Sequence, residues 1–494
     1  MSPRTDNVKK SKFPRVNPLV YIIVVFILSR LLYFSAGIRF DATPLNYFYQ
    51  YIDPDLLKNN LFQSLYYLHT QPPLYNLFLG SILKLFPHSQ ALAFNFIYLF
   101  LGLILSVSIF LIMTRLGLSS KLSAILTILF IVSPACVLYE NLLFYTYPVA
   151  TCLCLSALFL HRFLKREKLR DGIIFFALLS VIVLTMSLFH ILWLILVAVI
   201  LLFFKKDKWK KVVFAFSIPF LVCFLLYLKN AYVFGSFSST SWFGMNFARM
   251  TIYSLPMSDR TSLVNQGKIS KLSLLLPFTS LKDYQTNANW PKAQKKTNIP
   301  VLDQGVKSTG ATNLNNIAYI DISKQYLNDA IYVLKSHPKA YLVGFLWSFS
   351  VYFLPSSDYP FLEGNRKHIQ LFERFYNMVF CGQMDQERKN VLSMGLFLII
   401  GYSIVIFYGL RLTLNALSTK RKNLPFALTV LFLWINMVYG TLVGNSLEIG
   451  ENNRFRFMID PFFLMILGLF LQNRFKMPKE HFTKACRKPL KRVS

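Results

Sequence analysis

The sequence predicts an all-α polytopic membrane protein with about ten transmembrane helices and additional interfacial or re-entrant helices. Of its 494 residues, 54% are hydrophobic and only 15% are charged. Apolar runs of about 17 to 25 residues recur along the chain, and helices of that length cross about 30 Å of hydrocarbon. The formal net charge of +31 falls between these runs rather than on one basic face, so nucleic acid is a poor candidate partner.

The predicted spans alternate with loops of unequal charge. With a cytoplasmic N-terminus, the basic tail 1–17, the short loops on the same side and the basic tail 473–494 carry most of the excess positive charge, as the positive-inside rule expects. The first apolar run contains Arg30 and lacks a small-residue cleavage pattern, so we expect it to remain as a membrane anchor. The predicted spans are residues 18–36, 91–113, 122–138, 145–163, 172–187, 189–204, 211–230, 391–411, 424–444 and 456–472.

Two further apolar segments, residues 73–87 and 339–355, do not fit this count. The first is short and mixes aromatic with aliphatic residues, which predicts a half-buried helix along the outer interface. The second is apolar enough to cross the membrane, but counting it as a span would move the basic C-terminus to the wrong side. We therefore predict that it is re-entrant or interfacial.

The spans group into a seven-span module at 18–230, whose first outer loop is 37–90, a long outer-side region at 231–338, and a C-terminal membrane module at 339–472. A loop as long as the outer-side region usually has a function. Its first half looks loosely ordered, and two interpretations stay open: a lid over a substrate and a poorly constrained insertion. Its last part, residues 315–338, has helical periodicity.

The cysteine spacing and the glycosylation motifs indicate whether the protein binds a metal cofactor and in which membrane it resides. The six cysteines show no disulfide framework and no metal-ligand spacing. No cofactor is therefore predicted, although a divalent metal stays open. The chain contains no N-x-S/T acceptor. Its absence favours a bacterial-type cytoplasmic membrane, with the site facing outward, over the endoplasmic reticulum.

Ionisable residues gather where the predicted spans end on the outer side. The first outer loop opens with "IRFDATP", a short second loop reads "YENLLFYTYP", and the last outer loop reads "GNSLEIGENNRFRFMIDP". Charged side chains that converge on one cavity at a membrane boundary are functional candidates. These candidates are Arg39, Asp41, Glu140, Glu448, Glu451, Arg454, Arg456 and Asp460.

Each candidate also has a plain structural alternative. Asp41 can be a helix cap or a solvated loop residue, whereas Glu140 lies in a hairpin too short to leave the protein surface. Arg454 and Arg456 point about 200° apart on a helix. One of them therefore faces a cavity while the other caps or snorkels, and the spacing does not say which. His190, at the apex of a tight hairpin, is most simply a packing residue.

Two adjacent prolines, Pro72 and Pro73, mark a corner within "LHTQPPLYNLFLG". Proline fixes φ and has no N–H donor, so the pair predicts an extended entry followed by a defined helix start. A rigid corner of this kind directs the side chains that flank it back toward the membrane surface. The candidate substrate-binding residues are therefore His69 and Gln71, together with Glu451 and His190.

In their order along the chain, these features resemble the GT-C glycosyltransferases, in the branch of the protein O-mannosyltransferases and the bacterial aminoarabinose transferases. The matching residues are Asp41 in "RFDATP", Pro72, Pro73 and Leu74 in "QPPLYNL", and Glu140 in "LYENLLFY". The resemblance covers residues 18–230, whereas the C-terminal module matches only in layout and in "ENNRFRF". Gln71 stands where the aminoarabinose branch has a lysine, and residues 231–338 show no folded insert like that of the mannosyltransferases.

The resemblance implies a GT-C fold and an inverting hexosyl- or pentosyltransferase. Such an enzyme moves a sugar from a polyprenyl-phosphate donor to a lipid, glycan or protein acceptor in the cell envelope, with membrane lipids as its surroundings. Asp41 is then the candidate base, and Glu140 would orient the acceptor or assist the base. The phosphate would be held, as its charge develops, by Arg454, Arg456 or Arg39.

Two other function classes stay open. A transporter or flippase of lipid-linked glycans also needs a charged cavity, but it predicts ionisable groups near the middle of the bilayer, where this sequence has few. The other class is a catalytically inactive membrane scaffold. Consumption of a polyprenyl-phosphate sugar distinguishes a glycosyltransferase from both.

Overall fold

The computed structural model describes residues 17–290, 296–384, 394–418 and 423–476. Within these ranges all regular structure is helical apart from two isolated β-bridges, one between Asp41 and Leu142 and one between Val306 and Thr312. The chain is thus an all-α, multi-pass integral membrane protein. Most of both predicted basic tails and the start of the predicted span 391–411 lie outside the described residues.

The first part of the chain forms the helices α1 to α12. They are α1 (Pro18–Ser35), α2 (Pro44–Tyr47), α3 (Pro54–Asn59), α4 (Leu61–Tyr66), α5 (Leu74–Leu85), α6 (Gln90–Arg115), α7 (Ser120–Ile131), α8 (Pro134–Glu140), α9 (Thr146–Arg166), α10 (Leu169–Val183), α11 (Ile191–Phe204) and α12 (Trp209–Phe234).

The rest of the chain adds the helices α13 to α23, with short 3₁₀ turns between some of them. They are α13 (Phe243–Thr251), α14 (Met257–Asn265), α15 (Leu281–Ala288), α16 (Pro300–Asp303), α17 (Ala318–Ser336), α18 (Pro338–Tyr352), α19 (Glu363–Arg366), α20 (Gln370–Tyr376), α21 (Leu396–Ser418), α22 (Leu424–Leu447) and α23 (Asn452–Arg474).

Each predicted span contains a helix, but the helices are not equally long. Among the described residues, seven are long and apolar enough to cross a membrane: α1, α6, α9, α12, α21, α22 and α23. The pair α7 and α8 makes an eighth span if a bend of 59° between them is allowed. Helices α10 and α11, with 15 and 14 residues, are shorter than a full span. Helix length therefore supports seven or eight spans rather than the expected ten.

The bend between α7 and α8 follows from the sequence around Pro134. Proline has no N–H and disfavours helical geometry in the residue before it, so α7 ends at Ile131 and a new helix begins at Pro134. Ser133 caps the new helix by accepting a hydrogen bond from the Cys136 N–H at 3.2 Å. The bend brings the end of α8, at Glu140, against Arg30 of α1.

The two apolar segments that were not counted as spans, residues 73–87 and 339–355, contain short helices. Helix α5 begins directly after Pro73 and has 12 residues, which is too short to cross the membrane. Helix α18 has 15 residues and packs against α22 and α23. Helix α9 lies at the centre of the bundle, where it packs against α6, α10, α22 and α23. The two predicted membrane modules therefore form a single bundle around α9.

The described residues of 231–338 build a second hydrophobic core. Its first half is folded, which differs from the loosely ordered segment expected from the sequence. Tyr326 on α17 donates hydrogen bonds to the carbonyl oxygens of Leu272 and Leu275, and Asp329 accepts from Ser270 and Ser273. These contacts join residues more than fifty positions apart, so local periodicity does not reveal them.

The core of this region requires a close approach of α13 and α17 at Gly244. A Cβ atom at Gly244 would overlap the backbone carbonyl of Ser323, whereas a Cβ atom at Gly364 would meet nothing within 4 Å. We expect Gly244→Ala to lower the free energy of unfolding by about 1–3 kcal/mol through overpacking. Thermal unfolding of the purified protein measures the effect, with Gly364→Ala as the control. Equal melting temperatures for the two variants would contradict the close packing.

Candidate functional site

Two cavities adjoin where the C-terminal end of α22 meets the 231–338 region. One, the aromatic cavity, has a volume of about 490 Å³ and the other, the apolar groove, has a volume of about 970 Å³. Aromatic rings of the aromatic cavity include Tyr47, Tyr145, Trp242, Tyr359 and Phe361. The apolar groove includes Leu276, Trp347, Val351, Leu354 and Ile449. Both cavities share Tyr49, Arg249 and Phe278.

Arg454 lines the aromatic cavity from the first turn of α23. Its guanidinium donates a hydrogen bond to the carboxylate of Glu451, which also lines the cavity. The same group stacks on the rings of Phe144 and Tyr145, with centroid distances of 4.6 and 5.4 Å. The side chain is only 2% exposed, so its charge is held rigidly at the cavity wall.

Arg456 points the other way, into the packing between α18 and α23. It donates hydrogen bonds to the Tyr352 carbonyl at 2.7 Å and to Ser356 Oγ at 2.8 Å, and its Nε lies 3.4 Å from Asp460 Oδ1. Since Arg456 is enclosed by these groups, Arg454 is the arginine of the pair that faces the cavity. The structure thereby decides the question that the helical spacing left open.

Two carboxylates from the turn between α22 and α23, Glu448 and Glu451, line the aromatic cavity. Burial, together with the nearby charge of Glu451, raises the pKa of Glu448 to about 7. The two carboxylates therefore differ in their partners and in their protonation. Glu451 is paired with Arg454, whereas Glu448 exchanges its proton near neutral pH.

Arg249 is a cavity residue that the sequence analysis missed. It lies on α13, and its Nη2 passes so close to Gly450 that a Cβ atom there would be 2.8 Å away. Gly450 has a φ of +113°, which glycine adopts without strain. One sequence signal was available, because Arg249 is the only charged residue between Lys229 and Asp259. An isolated charge within an aromatic, apolar stretch indicates a specific environment.

Three buried polar atoms at the aromatic cavity have no hydrogen-bond partner among the described residues. They are Gln71 Oε1, Trp242 Nε1 and Arg454 Nε. Buried polar groups in native proteins are nearly always paired, so such atoms mark the position of a ligand or of ordered water. The wall of the cavity thus contains an acceptor and two donors that no described group satisfies.

Asp41 lies beside this cavity but does not line it. Its backbone bridges to Leu142, and its Oδ1 accepts hydrogen bonds from the N–H and hydroxyl of Thr43 at 2.9 and 2.6 Å. Burial and the charge of Asp41 both raise the pKa of Tyr47, whose ring lines the aromatic cavity. Asp41 is therefore close enough to Tyr47 to influence it electrostatically, while its side chain hydrogen-bonds Thr43.

Glu140 is enclosed within the helix bundle, at 1% exposure, away from both cavities. Both of its oxygens accept from the Arg30 guanidinium, at 2.9 and 2.7 Å, and Tyr147 donates a third hydrogen bond at 2.7 Å. The carboxylate has no free lone pair directed at the aromatic cavity. Its geometry is that of a structural ion pair between α1 and α8.

The remaining predicted residues occupy other positions. His69 is buried between Ser241 and the Asn315 carbonyl, at 2.7 and 2.9 Å, and burial lowers its pKa to about 4. It is thus neutral and ties the first loop to the 231–338 region. His190 caps α11. Arg39 stacks on Phe34 and lines a separate cavity of about 330 Å³.

Metal-binding groups are also relevant to the site. Among the residues that the structure describes, no group of three or more His, Cys, Asp and Glu side chains is placed to hold a metal ion. Of the residues predicted from the sequence, those that line the aromatic cavity are Gln71, Glu448, Glu451 and Arg454. The cationic side chains in the lining of this cavity are Arg249 and Arg454.

The Arg30–Glu140 pair leads to a stability prediction. Glu140→Gln leaves a buried guanidinium without its counter-charge, so we expect a loss of about 3–5 kcal/mol in the free energy of unfolding. The matched control is Glu363→Gln, since Glu363 is 59% exposed in its pair with Arg366 and should contribute less than about 1 kcal/mol. Thermal unfolding in detergent compares the two. A melting temperature of Glu140→Gln close to that of the control would refute the structural role.

Comparison with known proteins identifies no relative of this chain. No family model, curated protein or solved structure matches the chain. The resemblance to the GT-C glycosyltransferases therefore stays an expectation based on the motifs around Asp41, Pro72, Pro73 and Glu140. What the chain does has to be inferred from its own cavities and charges.

Proposed function

We propose that this chain is an inverting, GT-C-type glycosyltransferase that takes a sugar from a polyprenyl-phosphate donor. The observation that carries the proposal is the position of Arg249, where the apolar groove meets the aromatic cavity. A donor of this class has an apolar tail, an anionic phosphate and a polar sugar in that order. The groove, the arginine and the aromatic cavity present complementary surfaces in the same order.

Each part of the donor finds suitable chemistry. The apolar side chains of Trp347, Val351 and Leu354 suit an isoprenoid tail, whose burial is favourable in proportion to its area. Arg249 and Arg454 provide charge-assisted hydrogen bonds for the phosphate. Aromatic rings with a few orphaned polar atoms suit a sugar, which has apolar C–H faces and a rim of hydroxyl groups.

The proposed reaction is a single displacement at the anomeric carbon. The oxygen of an acceptor hydroxyl forms the new bond while the bond from the anomeric carbon to the phosphate oxygen breaks, and the phosphate leaves with the electron pair. Arg249 and Arg454 stabilise the charge that develops on the phosphate. A carboxylate accepts the proton of the acceptor hydroxyl.

We assign that base to Glu448 rather than to Asp41. Glu448 lines the cavity and has a pKa near the working pH, which is the condition for efficient proton transfer. Asp41 is engaged with Thr43 at the rim, and Glu140 is neutralised by Arg30. In this proposal Asp41 holds the turn at Thr43, and Glu140 holds the bundle together.

The setting of the reaction follows from the charge distribution along the chain. Because the basic loops lie at the other end of the predicted spans, the site would face outward from a bacterial-type cytoplasmic membrane. The acceptor is then a lipid, glycan or protein of the cell envelope. A flippase or an inactive scaffold would bind the same donor without cleaving it, and the transfer assay below separates these functions.

The first test of the proposal is Arg249→Gln. Membranes that contain the protein are given radiolabelled polyprenyl-phosphate monosaccharides, and label that leaves the carrier is measured. Loss of one phosphate-stabilising donor should lower transfer about a hundredfold. The control is Arg260→Gln, because the Arg260 guanidinium stacks on Tyr253 without lining either cavity. Undiminished transfer by Arg249→Gln would exclude the assigned role, and no consumption of any donor by the parent protein would favour the alternatives.

The second test is the pH dependence of transfer. A base acts only when ionised, so kcat/KM should rise with pH and level off above about 7, the pKa of Glu448. Glu448→Gln should lose this rise and at least about a hundredfold in rate. Asp41→Asn serves as the comparison and should keep the rise. The opposite result, with the rise kept by Glu448→Gln and lost by Asp41→Asn, would transfer the base role to Asp41.

A further inference from the structure

A cluster of arginines lies at the other end of the bundle from the two cavities. Helix α9 begins beside the aromatic cavity, since Tyr145 and Thr146 contact Arg454. Its 21 residues extend about 30 Å, the thickness of the hydrocarbon core. Its last turns carry Arg162 and Arg166. The cluster therefore lies near the opposite membrane boundary, and its function does not depend on the proposed glycosyl transfer.

The cluster carries more positive than negative charge. Arg115, the last residue of α6, is within electrostatic reach of Arg162, Arg166 and Asp171. Asp171 is paired with Arg162 at 2.9 Å. Among the described residues, neither Arg115 nor Arg166 has an ion pair or a side-chain hydrogen bond. Close like charges at a low-dielectric boundary are unfavourable unless an anion compensates them.

Glu167, an acid on the same segment of chain, is paired elsewhere. Glu167 follows Arg166 directly, but its carboxylate pairs with Lys205 at 2.9 Å and with Lys208 at 3.5 Å. Its charge is thus shared by two lysines on the neighbouring loop. Two arginines of the cluster remain uncompensated within the described part of the chain.

Four polar atoms of the cluster are buried without a hydrogen-bond partner among the described residues. Two are donors, Arg115 Nη1 and Arg162 Nε, and the other two are Asp171 Oδ2 and His161 Nε2. Thr429 donates its hydroxyl proton to the Pro425 carbonyl, so His161 Nδ1 is the donor in its contact with Thr429 at 3.2 Å. Nε2 of a neutral His161 is therefore an acceptor.

Orphaned donors and acceptors together define the chemistry of the missing partner. A phosphodiester supplies anionic oxygens to the arginines, and a hydroxyl group supplies protons to Asp171 and His161. Arg115 and Arg162 are half-buried and Arg166 is exposed, so a headgroup can reach the cluster from the membrane surface. Basic pockets between membrane helices are typical sites for anionic lipid headgroups.

We propose that Arg115, Arg162 and Arg166 bind the phosphate of an anionic phospholipid whose headgroup carries free hydroxyl groups. The lipid is favoured over free phosphate because the cluster lies at the depth of the headgroups, at the ends of two membrane-spanning helices. The bound lipid would supply a negative charge that the described residues do not provide to Arg115 and Arg166.

Phosphatidylglycerol is the probe for this site. The purified full-length protein in neutral detergent is incubated with phosphatidylglycerol or phosphatidylcholine, and retained lipid is counted by native mass spectrometry. We expect retention of phosphatidylglycerol over phosphatidylcholine, and a loss of about fivefold in affinity for Arg115→Gln and for Arg166→Gln. The matched control is Arg170→Gln, an exposed arginine at the same end that lies outside the cluster, and it should bind as the parent does.

Several outcomes would overturn the proposal. They are unchanged retention in both cluster variants, an equal loss in Arg170→Gln, and equal retention of phosphatidylcholine. Displacement of the lipid by millimolar inorganic phosphate would show that the cluster binds free phosphate instead. Arg166 is exposed, so Arg166→Gln decides the matter if Arg115→Gln fails to fold, with elution volume as the measure of folding.

Discussion

The buried ion pair between Arg30 and Glu140 is the interaction on which the geometry of the candidate site depends. A charged pair persists inside an apolar bundle only when its members satisfy each other, and here both carboxylate oxygens accept from one guanidinium. The pair fixes the end of α8 against α1. The next residues of the chain bridge to Asp41 and then supply two of the rings on which Arg454 stacks, Phe144 and Tyr145.

Arginine has three different environments in this protein, and the environment decides the role. Arg30 and Arg456 are enclosed by acids and carbonyl groups, so they hold helices together. Arg249 and Arg454 lie at cavity walls, where Arg454 pairs with the carboxylate of Glu451. Arg115 and Arg166 have no ion pair within the described residues, whereas their neighbour Arg162 pairs with Asp171. In each case the cost of removing a charge from water explains which partner the arginine needs.

The candidate site was predictable from the sequence in part. Arg454, Glu451 and Gln71 were recognisable because charged or amide groups beside apolar spans are unusual and therefore informative. Glu448 was recognised as a charged residue at the membrane boundary, but no role was predicted for it. Arg249 was not predicted as a site residue because it lies in a region whose fold depends on contacts between residues distant in the sequence. Such contacts leave no trace in local periodicity.

The sequence by itself determined that the chain is helical and crosses the membrane several times. The reason is that the length and apolarity of a segment are local properties, and they decide whether a helix can cross the hydrocarbon core. It also located the charges that border the spans. Only the tertiary structure decided which of two arginines faces the cavity, that Glu140 is neutralised by Arg30, and that Arg249 joins the site. Those outcomes depend on how helices pack, and packing is a property of the whole chain.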